Sequence, residues 1–278
     1  MEFQTGKAIG VGGIERAWRF AGAVGTPKGV VVLAHGAAEH IGRYTHVFEA
    51  LTANGLACLG YDHRGHGDSG GKRVFLTRFG EYVEDLHTVV QLAQTKAPGL
   101  PVYLLAHSMG GLVGAGYLVD YPSGPLRGAV ISGPALGLAL KVPAWKNALG
   151  KAMSKVWPTL AIPTGVEPRL VSRDPAVVAA YANDPKVTKK ATARWYTELL
   201  AEQARVLARA GEIKTPLLLV FGGKDQLTSV PAMETWFAAV GASDKTLIPY
   251  PELFHEVMNE PEKDTVLADI GRWIGAHA

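Results

Sequence analysis

The chain holds a single cysteine, Cys58, inside an apolar run. One thiol cannot form a disulfide within the chain. A secreted, disulfide-stapled scaffold is thereby excluded, and a reducing cytoplasm is the expected compartment. No uninterrupted apolar stretch reaches the roughly 18 residues that span a bilayer. The opening Met1-Glu2-Phe3-Gln4-Thr5-Gly6 has neither the basic nor the apolar segment of a secretory signal. Charge is sparse: 19% of residues are charged, the net charge is +3, and lysine and arginine form no block. Nucleic-acid binding is therefore not expected, whereas weak attraction to anionic lipid headgroups is compatible with the balance. Gly10-Val11-Gly12-Gly13 lacks the long helix that must follow a dinucleotide-binding fingerprint. Internal repeats and low-complexity segments are missing as well. What is there is a chain of 278 residues, 47% of them hydrophobic. α/β folds of about 200–250 residues are often one domain.

Short buried-strand patterns alternate with helical ones. Gly29–Ala34, Leu56–Tyr61, 102–107, Leu126–Ser132, 216–221 and 246–250 read as strands, and residues 2–22 as a further pair. Residues 44–54, 79–97, 109–121 and 261–274 read as helices. This alternation predicts an α/β fold with a mostly parallel central sheet and helices on both faces. The stretch 134–210 breaks the rhythm. It shows helical patterns separated by prolines, no convincing strand, and Trp145, Trp157 and Trp195, half of the six tryptophans. It is expected to be a helical cap inserted between two core segments, 1–133 and 211–278. Within it, 143–157 reads as a helix opened by Pro143. Trp145, Leu149, Met153, Val156 and Trp157 gather on one side, with Lys151 and Lys155 opposite and Lys146 interrupting the pattern. The expectation is that most of this apolar side packs on the core. The alternative is a lid that rests on a lipid surface.

The chemistry centres on Pro101-Val102-Tyr103-Leu104-Leu105-Ala106-His107-Ser108-Met109-Gly110-Gly111. A strand, a sharp turn and a helix would hold the Ser108 hydroxyl clear of the sheet, within reach of a base. Gly110 would let backbone pass close by. Ala106 stands where the G-x-S-x-G pattern has its first glycine. Two further residues follow in the required order. Asp225 ends a strand-to-turn segment, and His255 lies in a loop before the last helix. Each has a plain alternative reading: a helix-starting serine, a turn aspartate, a surface histidine. Together, each just past a strand, they form a candidate nucleophile, orienting acid and base. His35-Gly36-Ala37 after the Gly29–Ala34 strand would turn backbone N–H groups toward the same place. The N–H groups of Ala37 and Met109 are the candidate oxyanion donors.

His35-Gly36-Ala37-Ala38-Glu39-His40 with Arg43-Tyr44, Asp62-His63-Arg64-Gly65-His66-Gly67-Asp68-Ser69-Gly70, Ala106-His107-Ser108-Met109-Gly110-Gly111 and Ser172-Arg173-Asp174-Pro175 carry a resemblance. The chain resembles the α/β-hydrolases over nearly its whole length and, more narrowly, the monoacylglycerol lipase and lysophospholipase group. The resemblance implies that Glu39 and Arg43 line a polar end receiving the glycerol head. An equal reading makes Glu39 a brace for the oxyanion loop. Mammalian members have a second histidine three residues after the catalytic one, where this chain has Met258. Asp62, His63 and His66 crowd three possible metal ligands together. The Arg-Gly and His-Gly pairs mark the segment as a structural loop of this family, and Arg64 would repel a cation, so no metal is expected.

The expected activity is that of a serine carboxylester hydrolase cleaving monoacylglycerol through an acyl-enzyme on Ser108, with no cofactor. Lysophospholipids and short-chain esters are the alternative substrates. A non-catalytic lipid-binding protein on the same scaffold is the alternative of another class. The expected partner is a small lipid ester, with room for transient membrane contact through the cap.

Overall fold

Strands that are apolar along their whole length must be covered on both faces. The computed structural model, which describes residues 1–139 and 144–278, is built that way. Its strands are β1 (Gln4–Ile9), β2 (Glu15–Ala21), β3 (Gly29–Ala34), β4 (Leu56–Tyr61), β5 (Val102–His107), β6 (Leu126–Ser132), β7 (Ala161–Pro163), β8 (Lys190–Thr192), β9 (Leu217–Gly222) and β10 (Lys245–Tyr250). Eight of them form one sheet in the order β1-β2-β4-β3-β5-β6-β9-β10. From β4 to β10 all pairings are parallel, and β1 and β2 add an antiparallel edge.

The helices are α1 (Thr45–Ala53), α2 (Gly80–Lys96), α3 (Met109–Asp120), α4 (Ala144–Val156), α5 (Pro175–Asn183), α6 (Ala193–Ala208), α7 (Val230–Ala239) and α8 (Lys263–Ala276). Successive strand residues point to opposite faces. Val30, Val32 and Ala34 join the core under α2, α3, α6 and α7, while Val31 and Leu33 join the one under α1 and α8. Such alternating burial fixes the register, since a one-residue slip would exchange the two cores.

The elements between β6 and β9 depart from the sequence reading in two ways. The stretch expected to lack strands contains β7 and β8, a two-stranded antiparallel pair. Strands of three residues are too short to show a period. The second difference concerns α4. Pro143 of the expected helix lies outside the described residues, as does the side chain of Lys146. The rest of the helix packs on α6 through Asn147, Gly150 and Ser154, spaced three and four apart on one face. Ser154 and Thr197 share a hydroxyl hydrogen bond of 2.8 Å, and Tyr196 donates to Asn147 at 2.5 Å. The apolar side is therefore not the packed side. Trp145 is 64% exposed, Leu149 51%, Val156 79% and Trp157 59%, which corrects the expectation that most of this side packs on the core.

Candidate active site

Parallel sheets gather ligands at the carboxyl ends of their strands. Ser108 follows β5, His35–Glu39 follow β3, Asp225 follows β9 and His255 follows β10. At Ser108 the backbone takes φ +55°, ψ −117°, a conformation that non-glycine residues rarely hold. Such strain, roughly 1–3 kcal/mol, persists only where neighbours enforce it. Here the Ser108 N–H donates to Ser132 O at 2.9 Å, and its carbonyl accepts from Ala135 and Leu112.

The close approaches at this turn depend on small residues. A Cβ on Gly110 would stand 2.4 Å from the Ala34 carbonyl oxygen and 2.5 Å from that of His35. Ala106 is accommodated because α3 offers glycine opposite it. A Cβ on Gly114 would lie 3.2 Å from the Ala106 methyl. Strand and helix thus keep their distance although the first elbow glycine is absent.

Ser108 stands at the N-cap of α3 but makes no capping bond with its side chain. Its hydroxyl lies 2.9 Å from His255 Nε2. Opposite, His255 Nδ1 lies 2.7 Å from Asp225 Oδ2. The two oxygens of Asp225 divide their work. Oδ1 accepts the N–H groups of Leu227 and Thr228 at 2.8 and 2.9 Å, an ordinary turn arrangement. Oδ2 accepts from Thr228 Oγ1 at 2.6 Å and faces the imidazole. The turn-aspartate reading is therefore correct but incomplete.

Backbone packing sets the distance between Asp225 and His255. A Cβ on Gly222 would fall 2.1 Å from Phe254 O, and one on Gly223 2.7 Å from Pro251 O. Gly223 and Lys224 donate their N–H groups to Tyr250 and Leu253. From the other side Val171 O accepts the Glu256 N–H at 2.8 Å, and Ser172 Oγ donates to Asn259 O at 3.0 Å. The Ser172-Arg173-Asp174-Pro175 motif thus clamps the histidine loop. Arg173 pairs with Glu260, and Asp174 caps α5.

Electrostatics follow from burial. Desolvation opposes ionisation of Asp225, yet the charge and hydrogen bond of His255 and the bonds from Thr228 prevail, holding its carboxyl down at about 2. Desolvation likewise opposes protonation of His255, but Asp225, with smaller contributions from Glu256 and Glu39, raises its pKa above the ordinary value. His107, whose ring centroid is 4.8 Å from that of His255, is pushed down to about 3 by burial and then by that neighbour. One histidine is thus equipped to take a proton and the adjacent one to refuse it. Among the described residues no acceptor takes the N–H of Ala37 or Met109. Ala38, at φ +64°, turns the chain after the first of these.

Glu39 both braces and lines. Its Oε1 accepts the Gly36 N–H at 2.6 Å and the Tyr44 hydroxyl at 2.7 Å, and it also borders the cavity at Ser108. Arg43 stands behind the cavity wall, against residues that border it. Its guanidinium forks onto Glu256 with two bonds of 2.8 Å, pairs with Glu39, and lies over the Tyr181 ring. Nothing in the sequence singles out Glu256. Met258 points into the layer under α1 and α8 and is 2% exposed. The loop of Asp62, His63 and His66 is held by protein partners. Asp62 accepts the N–H groups of Ile41 and Asp68, and the His63 N–H donates to His35 Nε2.

The cavity has a volume of about 380 Å³. Ser108, Ala37, Met109 and His255 lie at one part of its wall, and Leu138, Ile162, Val166, Trp195, Leu199 and Leu227 make much of the rest. Polar groups beside Ser108 and largely apolar walls suit a molecule with a small polar head and a hydrocarbon chain.

The model of the family described as "Serine aminopeptidase, S33" (Hydrolase_4) matches residues 25–262. The chain belongs to this hydrolase family. Within the family it is similar to a monoacylglycerol lipase of Mycolicibacterium smegmatis, with 42% identity over 96% of this chain and 95% of the relative. It is 33% identical to phospholipase YtpA of Bacillus subtilis, over 86% of this chain and 92% of that one. The crystal structure of the Paleococcus ferrophilus monoacylglycerol lipase superposes with a TM-score of 0.83 at 30% identity, covering both chains fully. The α/β-hydrolase fold and a hydrolase activity of the serine type are therefore properties of this chain.

Proposed function

We propose that the protein is a monoacylglycerol lipase using Ser108, His255 and Asp225. The observation that carries the reading is the hydrogen-bonded relay from Asp225 through His255 to Ser108, opening into a cavity with largely apolar walls. Ser108 Oγ attacks the ester carbonyl while His255 Nε2 takes its proton. Asp225 holds the Nδ1–H tautomer and stabilises the imidazolium. The oxyanion accepts the N–H groups of Ala37 and Met109, each donor being worth about 3–4 kcal/mol in related sites. Collapse breaks the bond to the glycerol oxygen, which leaves with the His255 proton. Water, giving its proton to His255, then attacks the acyl-enzyme. The fatty acid departs and Ser108 recovers its hydrogen.

No helix among the described residues is long and apolar enough to cross a membrane. In this reading the enzyme resides in a reducing cytoplasm, and the exposed Trp145, Leu149, Val156 and Trp157 meet the lipid aggregate that supplies substrate. The residues from 134 to 210 act as the cap.

The test is labelling with a fluorophosphonate, followed by rates on a monoacylglycerol, a lysophospholipid and a p-nitrophenyl ester of equal chain length. Label on Ser108 and preference for the monoacylglycerol are expected. No label would leave a lipid-binding protein, and a preference for the nitrophenyl ester a general esterase.

A further inference from the structure

The polar end of the cavity holds more negative charge than positive. Glu39 and Glu256 border it, and their side chains are 3% and 5% exposed. Arg43 is the cation that pairs with both, so two carboxylates share one guanidinium. Three of its N–H groups are taken by these carboxylates, two by Glu256 and one by Glu39, and it lies 4.7 Å from the centre of the Tyr181 ring. Tyr181 and both carboxylates border the cavity, and Arg43 does not. Among the described residues no lysine or arginine borders it either. The Glu39 carboxyl stays ionised: burial opposes this, but Arg43, His35, Tyr44 and the Gly36 amide bring its pKa below the ordinary value. Charges this deeply buried are weakly screened by salt.

We infer that Glu256 and Glu39 make the leaving-group end of the site selective for uncharged alcohols and exclude esters whose head carries an unneutralised phosphate. The inference rests on the monoacylglycerol reading and narrows it. A glycerol head brings hydroxyls that can donate to the spare lone pairs of the two carboxylates. A phosphate monoester brings further negative charge and, among the described residues, meets no cation on the cavity wall. Across about 5 Å at an effective dielectric near 20, one uncompensated like-charge pair corresponds to a rate loss on the order of a hundredfold. Glu256 immediately follows His255, so the charge that sorts head groups also supports the imidazolium that must protonate the departing alcohol.

The experiment compares kcat/KM for three esters with one acyl chain, all below their aggregation limits. One is the monoacylglycerol, the second its glycerol phosphate monoester, and the third the neutral dimethyl ester of that phosphate, which keeps the bulk without the charge. The expected order is monoacylglycerol, then the neutral triester, then the phosphate monoester slower by about a hundredfold. Glu256→Gln should narrow the gap between the charged and neutral phosphates by about tenfold. It should also move the acidic limb of the pH profile downward, which a merely structural role would not do. If the neutral triester is rejected as strongly as the monoester, size does the sorting and the inference falls, while the monoacylglycerol reading stands. Equal rates on the phosphate monoester and the monoacylglycerol overturn it too. Failure to cleave any glycerol ester removes both. The wild-type comparison decides the matter even if the variant does not fold.

Discussion

The turn at Ser108 and helix α4 sit at two borders of the same cavity and are built on opposite rules. At Ser108 the contact is side chain-free backbone against backbone, made possible by Gly110, and the serine itself is strained. Helix α4 is fastened to α6 by a seam of small and polar residues, and Trp145 within it and Trp157 just after it are exposed. The first region cannot yield by even a methyl group without moving a carbonyl. The second presents apolar area to the surroundings. The difference separates two tasks, one needing a fixed geometry and the other a surface.

The sharpest break of that comparison is chemical. Ser108→Ala and Asp225→Asn should each lower kcat by roughly four or more orders of magnitude with little change in melting temperature. Near-normal activity of Asp225→Asn would show that another carboxylate orients His255.

Next in size is the geometric break. Gly110→Ala should destabilise the fold by about 1–3 kcal/mol through overpacking, although alanine favours helix at an exposed site. Thermal unfolding read beside activity checks this. An unchanged melting temperature would mean that β3 and α3 can separate.

The relay was legible because it needs only chain order and the ends of strands, both of which an apolar run bounded by turn residues reveals. The sheet was legible for the same reason. Glu256 was not. Its partner Arg43 is 213 residues away, and nothing in a Phe-His-Glu-Val stretch says which carboxylate will face a cavity. The apolar stripe of α4 was visible as a period, but periodicity cannot say which side the rest of the protein covers. Asn147, Gly150 and Ser154 make the packed side, and no hydropathy pattern favours such a choice. Helix α7 likewise leaves no clear period in the sequence. It is set by the Ser229 hydroxyl, which accepts the Ala232 N–H, with Pro231 in its first turn.

Acidity sharpens the comparison further. His255, raised above about 6.5, must be neutral to act as base, so kcat/KM should fall on the acidic side with a midpoint above that value. Stability should respond separately. Burial holds His35, His63, His66 and His107 below the ordinary value. As pH drops below about 6.5 the unfolded chain takes up protons that these native residues refuse, which favours unfolding. His255 works in the other sense and offsets part of this. Melting temperatures measured from pH 7 down to pH 5 (a window estimated from the same reference value) should therefore decline, and a constant value would contradict the buried, neutral state.

The smallest effect on the fold belongs to α4. Trp145→Ser combined with Trp157→Ser should shift stability by only about 0.5 kcal/mol, as exposed positions do. Hydrolysis of a dissolved short-chain ester should be retained and hydrolysis of vesicle-borne monoacylglycerol lowered. Equal losses on both would place the tryptophans in the fold rather than at a lipid surface.

A site that takes one acyl chain and a small head should sort esters by chain length, and a chain-length series reads this out. Each buried methylene contributes about 0.8 kcal/mol of transfer free energy. For dissolved monoacylglycerols, kcat/KM should rise with each added methylene, mainly through KM, and level off when the cavity is full, while a triacylglycerol stays poor. Rates independent of chain length, or faster turnover of the triacylglycerol, would rule out a site for one acyl chain.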